Sequence, residues 1–198
     1  MIAVAVLAAG LGTRLGGDVP KPLVMLGGSP LVVIALDAAR GSGFTPVLVV
    51  VGDDRVAAAA TGADVLRNPT PAAGIASSLA VALRALEPHR EVGGVVVGLA
   101  DQPFVTAEAY RRVGAAYDGG ARLAVATYGG VRGNPVLLGR DHWSEALALE
   151  GDEGARVLLR RHGAVEVQCD DTGEPTDIDT DDDLAAVEAQ WRSRTVSE

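Results

Sequence analysis

The sequence has a single cysteine, Cys169, so no intrachain disulfide and no paired-cysteine metal site can form. Aromatic residues make up only 4% of its 198 residues, so a core must be built from Ala, Val and Leu. Basic residues are few, 17 Lys and Arg against 26 Asp and Glu. The resulting net charge of −9 repels nucleic acid and anionic membrane, and neither is expected as a partner. An anionic small molecule remains compatible, because a site needs only local positive groups, and each basic residue gains meaning. No apolar run is long enough to cross a membrane. Met1–Gly10 is apolar but short, with no basic residue before it, unlike a signal peptide. Together with the cysteine count this predicts a reducing compartment, the cytoplasm.

What is present reads as a folded protein. Hydrophobic residues are 48% and charged residues 22%, and the length suits one domain over residues 1–198 with a sizeable core. Ile2–Ala8, Pro46–Gly52 and Gly94–Leu99 are near-continuous apolar runs, as in strands covered on both faces. Arg122–Thr127 is a weaker copy, and Val165–Gln168 alternates like an edge strand. Helical stretches intervene at Leu31–Ala39, Asp54–Ala60, Ser77–Leu86, Ala107–Tyr117 and Ala155–His162, with a last helix at Leu184–Arg192. Alternating strands and helices predict an α/β fold, a three-layer α/β/α Rossmann-like domain on a mostly parallel sheet. In such sheets ligands bind at the carboxyl ends of the strands, so chemistry is sought just after each apolar run.

After the first run comes a glycine-rich loop, Leu7-Ala8-Ala9-Gly10-Leu11-Gly12-Thr13-Arg14-Leu15-Gly16, followed by Pro20-Lys21-Pro22-Leu23. Small residues let the backbone approach a ligand, successive N–H groups can wrap phosphate oxygens, and Arg14 and Lys21 supply charge. It is not a dinucleotide fingerprint, which needs a third glycine where Leu15 stands. It is not a P-loop either, since Asp18 follows Gly17 where Lys is needed. The plain alternative is a glycine turn with two surface cations. Asp101 ends the Gly94–Leu99 run, where a carboxylate is costly unless a cation meets it. Thr106 is the better cap for the next helix, which leaves Asp101 free for a metal. Asn68-Pro69 and Gly74-Ile75-Ala76-Ser77-Ser78 form a loop feeding a helix N-terminus, suited to anions or to a cap. Thr180 with Asp183 reads as a capping box for the last helix. His89, His142 and His162 lie in polar contexts that suggest no covalent chemistry.

These motifs resemble one group. Leu7-Ala8-Ala9-Gly10-Leu11-Gly12-Thr13-Arg14-Leu15-Gly16 with Pro20-Lys21-Pro22-Leu23 is similar to the signature loop of the GT-A-like nucleotidyltransferases. Asp101-Gln102-Pro103, the Asn68 to Ser78 segment, Gly133-Asn134-Pro135-Val136, Gly151-Asp152-Glu153-Gly154-Ala155-Arg156 and Asp177-Ile178-Asp179-Thr180 resemble the MobA-like NTP transferases, in their molybdenum cofactor cytidylyltransferase branch. Asn134 stands where that branch has histidine, and Pro-Lys-Pro-Leu is closer to sugar-nucleotide enzymes.

The resemblance implies a transferase that moves the NMP of an NTP, CTP first, to a phosphorylated acceptor, molybdopterin first, releasing pyrophosphate. It implies a molybdoenzyme as the recipient of the product. Arg14, Lys21 and Asp101 would be catalytic. Leu7, Ala8, Ala9, Gly10, Gly12, Thr13, Arg14, Lys21, Asn68, Gly74, Ser77 and Ser78 would bind nucleotide, with Arg14 and Lys21 on the triphosphate. Arg132, Asn134 and Arg156 would bind the acceptor. Mg²⁺ would be held by Asp101 and Asp179, with Asp177 as the weaker alternative. Two other readings stay open: a guanylyl- or other nucleotidylyltransferase acting on a sugar phosphate or another small phosphorylated acceptor, and a non-catalytic cofactor-binding or chaperone protein on the same fold.

Overall fold

A computed structural model describes residues 1–10 and 18–195. Gly12, Thr13 and Arg14 lie outside the described residues. In chain order the strands are β1 (Ile2–Ala8), β2 (Met25–Leu26), β3 (Ser29–Pro30), β4 (Val47–Val51), β5 (Asp64–Arg67), β6 (Gly94–Leu99), β7 (Leu123–Tyr128), β8 (Val131–Gly139) and β9 (Val165–Gln168). The helices are α1 (Leu31–Gly41), α2 (Asp54–Ala59), α3 (Ile75–Leu86), α4 (Ala107–Ala115), α5 (Trp143–Ala146), α6 (Arg156–His162) and α7 (Asp181–Thr195). Among the described residues, seven strands form one sheet in the order β5-β4-β1-β6-β8-β7-β9, and β2 and β3 form a separate hairpin. The neighbours β5-β4, β4-β1, β1-β6 and β7-β9 run parallel; β8 runs antiparallel to both β6 and β7.

The side-chain period of two builds the layers. Along β1, Ile2, Val4, Val6 and Ala8 face a core shared with α1 and α4, while Ala3, Ala5 and Leu7 face one shared with α3 and α6. Both faces are covered, which is why the run is apolar without alternation. Leu79 and Leu83 of α3 are essentially inaccessible, and each such burial contributes about 1.5–3 kcal/mol. Gly98 must lack a side chain: a Cβ there would lie 1.8 Å from the buried Tyr110 hydroxyl of α4. A third cluster, Leu26, Leu31, Phe104, Ile178 and Val187, fastens the hairpin and α7 to the strand ends.

The expected elements are found with shifted edges. β1, β6 and β9 have their predicted limits, and β9 lies at the sheet edge. α3 starts at Ile75, two residues before the predicted Ser77, because Gly74 caps it at φ +87°. Neither Ser77 nor Ser78 is therefore its N-cap. α7 starts at Asp181 rather than Leu184, directly after its cap. There Thr180 Oγ1 accepts from the Asp183 N–H at 3.1 Å, and Asp183 Oδ2 accepts from the Thr180 N–H at 2.8 Å. Thr106 caps α4 through the Ala109 N–H, at 3.4 Å.

The β2–β3 hairpin and two strands of the main sheet, β5 and β8, fall outside the sequence reading. β5 is a short, largely exposed edge strand. β8 carries Gly133-Asn134-Pro135, residues that normally end a strand. Pro135 is tolerated because the β6 ladder ends at Val97 opposite Val136, and the β7 ladder is irregular between Val125 and Thr127. No helix among the described residues is long and apolar enough to cross a membrane.

Candidate active site

A cleft opens at the carboxyl ends of β1 and β6, in two adjoining halves of about 450 and 400 Å³. The first is lined by Ala8, Ala9 and Gly10 after β1, by Lys21, and by Gly74 and Ser78 at the start of α3. The second is lined by Asn134 and Val136 of β8, Ala155 and Arg156 at the start of α6, and Asp177. Leu7, Ile75, Leu99, Asp101, Asp152 and Asp179 line both, so the two acids Asp101 and Asp179 stand on the seam.

Lys21 sits in a one-turn 3-10 helix, Lys21–Leu23, closed by Leu23 N–H to Pro20 O at 2.8 Å and Val24 N–H to Lys21 O at 3.0 Å. The flanking prolines fix the local φ angles, and the turn buries the lysine stem. Its Nζ donates to Asp101 Oδ2 at 2.6 Å and to Asp179 Oδ1 at 2.7 Å. Burial pulls the ammonium's pKa down, but the negative Asp101, then Asp179, outweighs it and holds the group above its usual 10.5.

Asp101 is placed by the end of β6, where the Ala100 N–H still bonds Leu7 O at 3.1 Å. Asp179 is placed by Ile178: its side chain is fully buried in the third cluster and its N–H donates to Asp101 O at 3.2 Å. Asp177, on the other side of Ile178, also faces the cleft. Burial, reinforced by the Asp101 charge, raises its pKa above the usual 3.8, while its bond from Gln102 works the other way. Gln102, 2% exposed, is the hub of a small network. Its Nε2 donates to Asp177 Oδ1 at 2.8 Å and to Pro175 O at 3.3 Å, and its Oε1 accepts from Asn134 Nδ2 at 3.0 Å. Asp101 and Asp179 share one cation and offer hard oxygen donors, the donor type that suits a divalent Mg²⁺-like ion.

The other predicted residues fall into two sets. Leu7, Ala8, Ala9, Gly10, Gly74, Ser78 and Arg156 line the cleft. Asn68 and Ser77 support it from behind: the Asn68 amide donates to Ser77 Oγ at 2.8 Å and Ser78 Oγ at 3.0 Å, and Ser77 donates to Gly74 O at 2.7 Å. Asn134 lines the second half, yet its amide is engaged by Gln102. Two of the predicted residues are engaged by protein carboxylates. Lys21, expected on a triphosphate, has its ammonium between two carboxylates. Arg132, expected on the acceptor, is on an exposed stretch of β8 outside the cleft lining, where its Nε donates to Glu166 at 2.8 Å. The sequence reading left out Gln102 and Asp152, although both stood inside the quoted motifs.

Residues 4–167 match the MobA-like NTP transferase domain. The chain belongs to the MobA-like NTP transferase family. It is accordingly a nucleotidyltransferase of that family, and an NTP is the substrate the family implies. Within it, a homolog of Mycobacterium tuberculosis Rv0371c from Mycobacterium sp. strain JC1 is 32% identical, with a TM-score of 0.84 over 97% of each chain. Rv0371c of M. tuberculosis H37Rv, in a complex with manganese, is 31% identical, with a TM-score of 0.78 over 95% of this chain and 98% of that one. The bifunctional protein GlmU of Kineococcus radiotolerans is 37% identical over 145 residues, 70% of this chain but 29% of that protein. The chain thus spans under a third of the length of that curated relative.

Proposed function

We propose that this protein transfers the NMP of CTP to the phosphate of molybdopterin, releasing pyrophosphate, with Mg²⁺ held by Asp101 and Asp179. The observation that carries the proposal is that Asp101 and Asp179 line both cleft halves, with Lys21 bridging them from the first. The acid-rich donor set fits a hard divalent cation, and the manganese complex of Rv0371c supports a divalent metal here by similarity. When bound, that ion would neutralise phosphate charge.

The chain's own groups do the rest. Ala8, Ala9 and Gly10 line the first half, and the backbone N–H groups of this glycine-rich segment would receive the triphosphate, with Arg14. Gly74, without a side chain, lets the Gly151 turn pack against the start of α3, where the nucleotide would bind. Arg156, at the head of α6, would hold the acceptor phosphate in the second half. An acceptor phosphate oxygen, already ionised at neutral pH, attacks the α-phosphorus. The new P–O bond forms as the α–β bridging P–O bond breaks, pyrophosphate carries away the electron pair, and no general base is needed. Catalysis then rests on positioning and charge, with the Lys21 ammonium keeping both acids in place. The nucleotidylated pterin would pass to a molybdoenzyme.

The acceptor is tested by measuring CMP transfer from CTP to purified molybdopterin beside GTP and beside sugar 1-phosphates. Transfer from CTP to the pterin alone supports the reading. Efficient transfer to a sugar phosphate and none to the pterin overturns it, and no transfer to any acceptor would favour a binding protein.

A further inference from the structure

Away from the cleft, the fold brings together two of the chain's three histidines. His142 ends a 3-10 turn, Arg140–His142, that runs into α5; Glu145 lies on α5; His162 is the last residue of α6. The two imidazole centroids are 4.9 Å apart, and His162 Nε2 lies 2.6 Å from Glu145 Oε2. One donor atom from each of the three residues falls within 4.8 Å of the other two.

We propose that His142, Glu145 and His162 form a transition-metal site for a borderline ion of the Zn²⁺ class, separate from the catalytic acids. Two imidazoles and one carboxylate are the donors such ions prefer, whereas Mg²⁺ selects oxygen. Tetrahedral bonds of roughly 2.0–2.2 Å place donor atoms roughly 3.3 Å apart. The carboxylate–imidazole pair, at 2.6 Å, is inside that spacing and would open on binding, while the partly exposed side chains would turn to complete the set. A water would complete the fourth position.

The frame is rigid on both sides. Arg140 anchors the His142 turn by donating to Val92 O at 2.7 Å and Leu86 O at 3.0 Å, and its guanidinium stacks 4.2 Å over the buried Trp143 ring. Leu158 and Leu159 bury the inner face of α6. Arg161 binds the other oxygen of Glu145, the outer-shell contact that orients a ligating carboxylate. A bound ion would clip α6 to α5, and the opposite end of that seven-residue helix carries Arg156 of the cleft.

Titrate untagged full-length protein with Zn²⁺ by calorimetry, in millimolar Mg²⁺ to occupy the carboxylate site. The wild type should bind one Zn²⁺ more than the His142→Ala/His162→Ala double variant. Each single variant should weaken that site by about tenfold or more. His89→Ala removes the remaining histidine, which is exposed beside Glu91, and should change nothing. Co²⁺ in place of Zn²⁺ should give visible absorption bands that disappear in the double variant. Circular dichroism verifies folding, and Glu145→Gln, which should also weaken the site, replaces the double variant if that one misfolds. Equal stoichiometry and affinity in wild type and variants, or no saturable Zn²⁺ binding beyond Mg²⁺ competition, would overturn the proposal.

Discussion

The Lys21 ammonium lies 2.6 Å from Asp101 and 2.7 Å from Asp179, so one buried lysine ties the end of β6 to the segment that leads into α7. The Asp179 carboxylate is 49% exposed and that of Asp101 27%, so the acids are open on the cleft side while the lysine holds them from within.

Replacing Lys21 with methionine keeps the stem and removes the charge. Two carboxylates then face each other without the lysine's charge. The expected loss is about 1–3 kcal/mol, less than the roughly 3–5 typical of a fully buried pair, because solvent screens Asp179. Millimolar Mg²⁺ should raise the Tm of Lys21→Met more than that of the wild type, since a second cation can take the place between the acids. An equal or smaller rise in the variant would count against the shared site.

At Gly74 the backbone has φ +87°, and a Cβ would lie 2.2 Å from the Gly151 carbonyl oxygen. Gly120 has a similar φ, +94°, with nothing within 4 Å. Both alanine variants carry the strain of a left-handed residue, about 1–3 kcal/mol. Gly74→Ala should lose more, and should also weaken nucleotide binding, because the turn at Gly151 must move away from α3. Thermal melts and NTP titrations of the two variants check this; equal Tm losses would contradict it.

Gln102→Leu removes the donor to Asp177 and the acceptor for Asn134 at nearly constant volume. The expected cost is about 1–3 kcal/mol for the polar groups left unpaired. The network borders the second half of the cleft, so KM for the acceptor should rise while KM for the NTP stays close to wild type. A change confined to the NTP would mean that the two halves are assigned the wrong way round.

How far these features could be read from sequence depended on the range of the interactions. β1 and β6 were legible because burial on both faces leaves an uninterrupted apolar run. The Thr180 and Thr106 caps were legible because capping is local. β8 was not, since Asn134 and Pro135 look like a turn until a ladder irregularity accommodates them. Asp101, Lys21 and Asp179 were recognisable as charged residues inside motifs. The resemblance paired the two acids, but the place of Lys21 between them was not legible, because it joins positions 80 and 158 residues apart in the chain. Arg132 shows the converse: the sequence reading gave this cation to the acceptor, and the fold sets it beside Glu166 of the edge strand β9, beyond β7. The pairing of His142 with His162 likewise depends on how α5 and α6 pack, which no local pattern records.

Pyrophosphate release is the most direct test of the central claim. It should be followed with NTP, acceptor and a Mg²⁺ titration, in the wild type, Asp101→Asn and Asp179→Asn. Both substitutions keep the shape of the side chain and remove a metal-binding charge. The wild type should require the divalent ion, and Asp101→Asn should lose about 10²–10³ in kcat, on the scale of removing one preorganised electrostatic contact, while its fold stays intact. Asp179→Asn should need more Mg²⁺ for half-maximal rate. Turnover that is independent of divalent ion, or an Asp101→Asn rate near that of the wild type, would contradict the account.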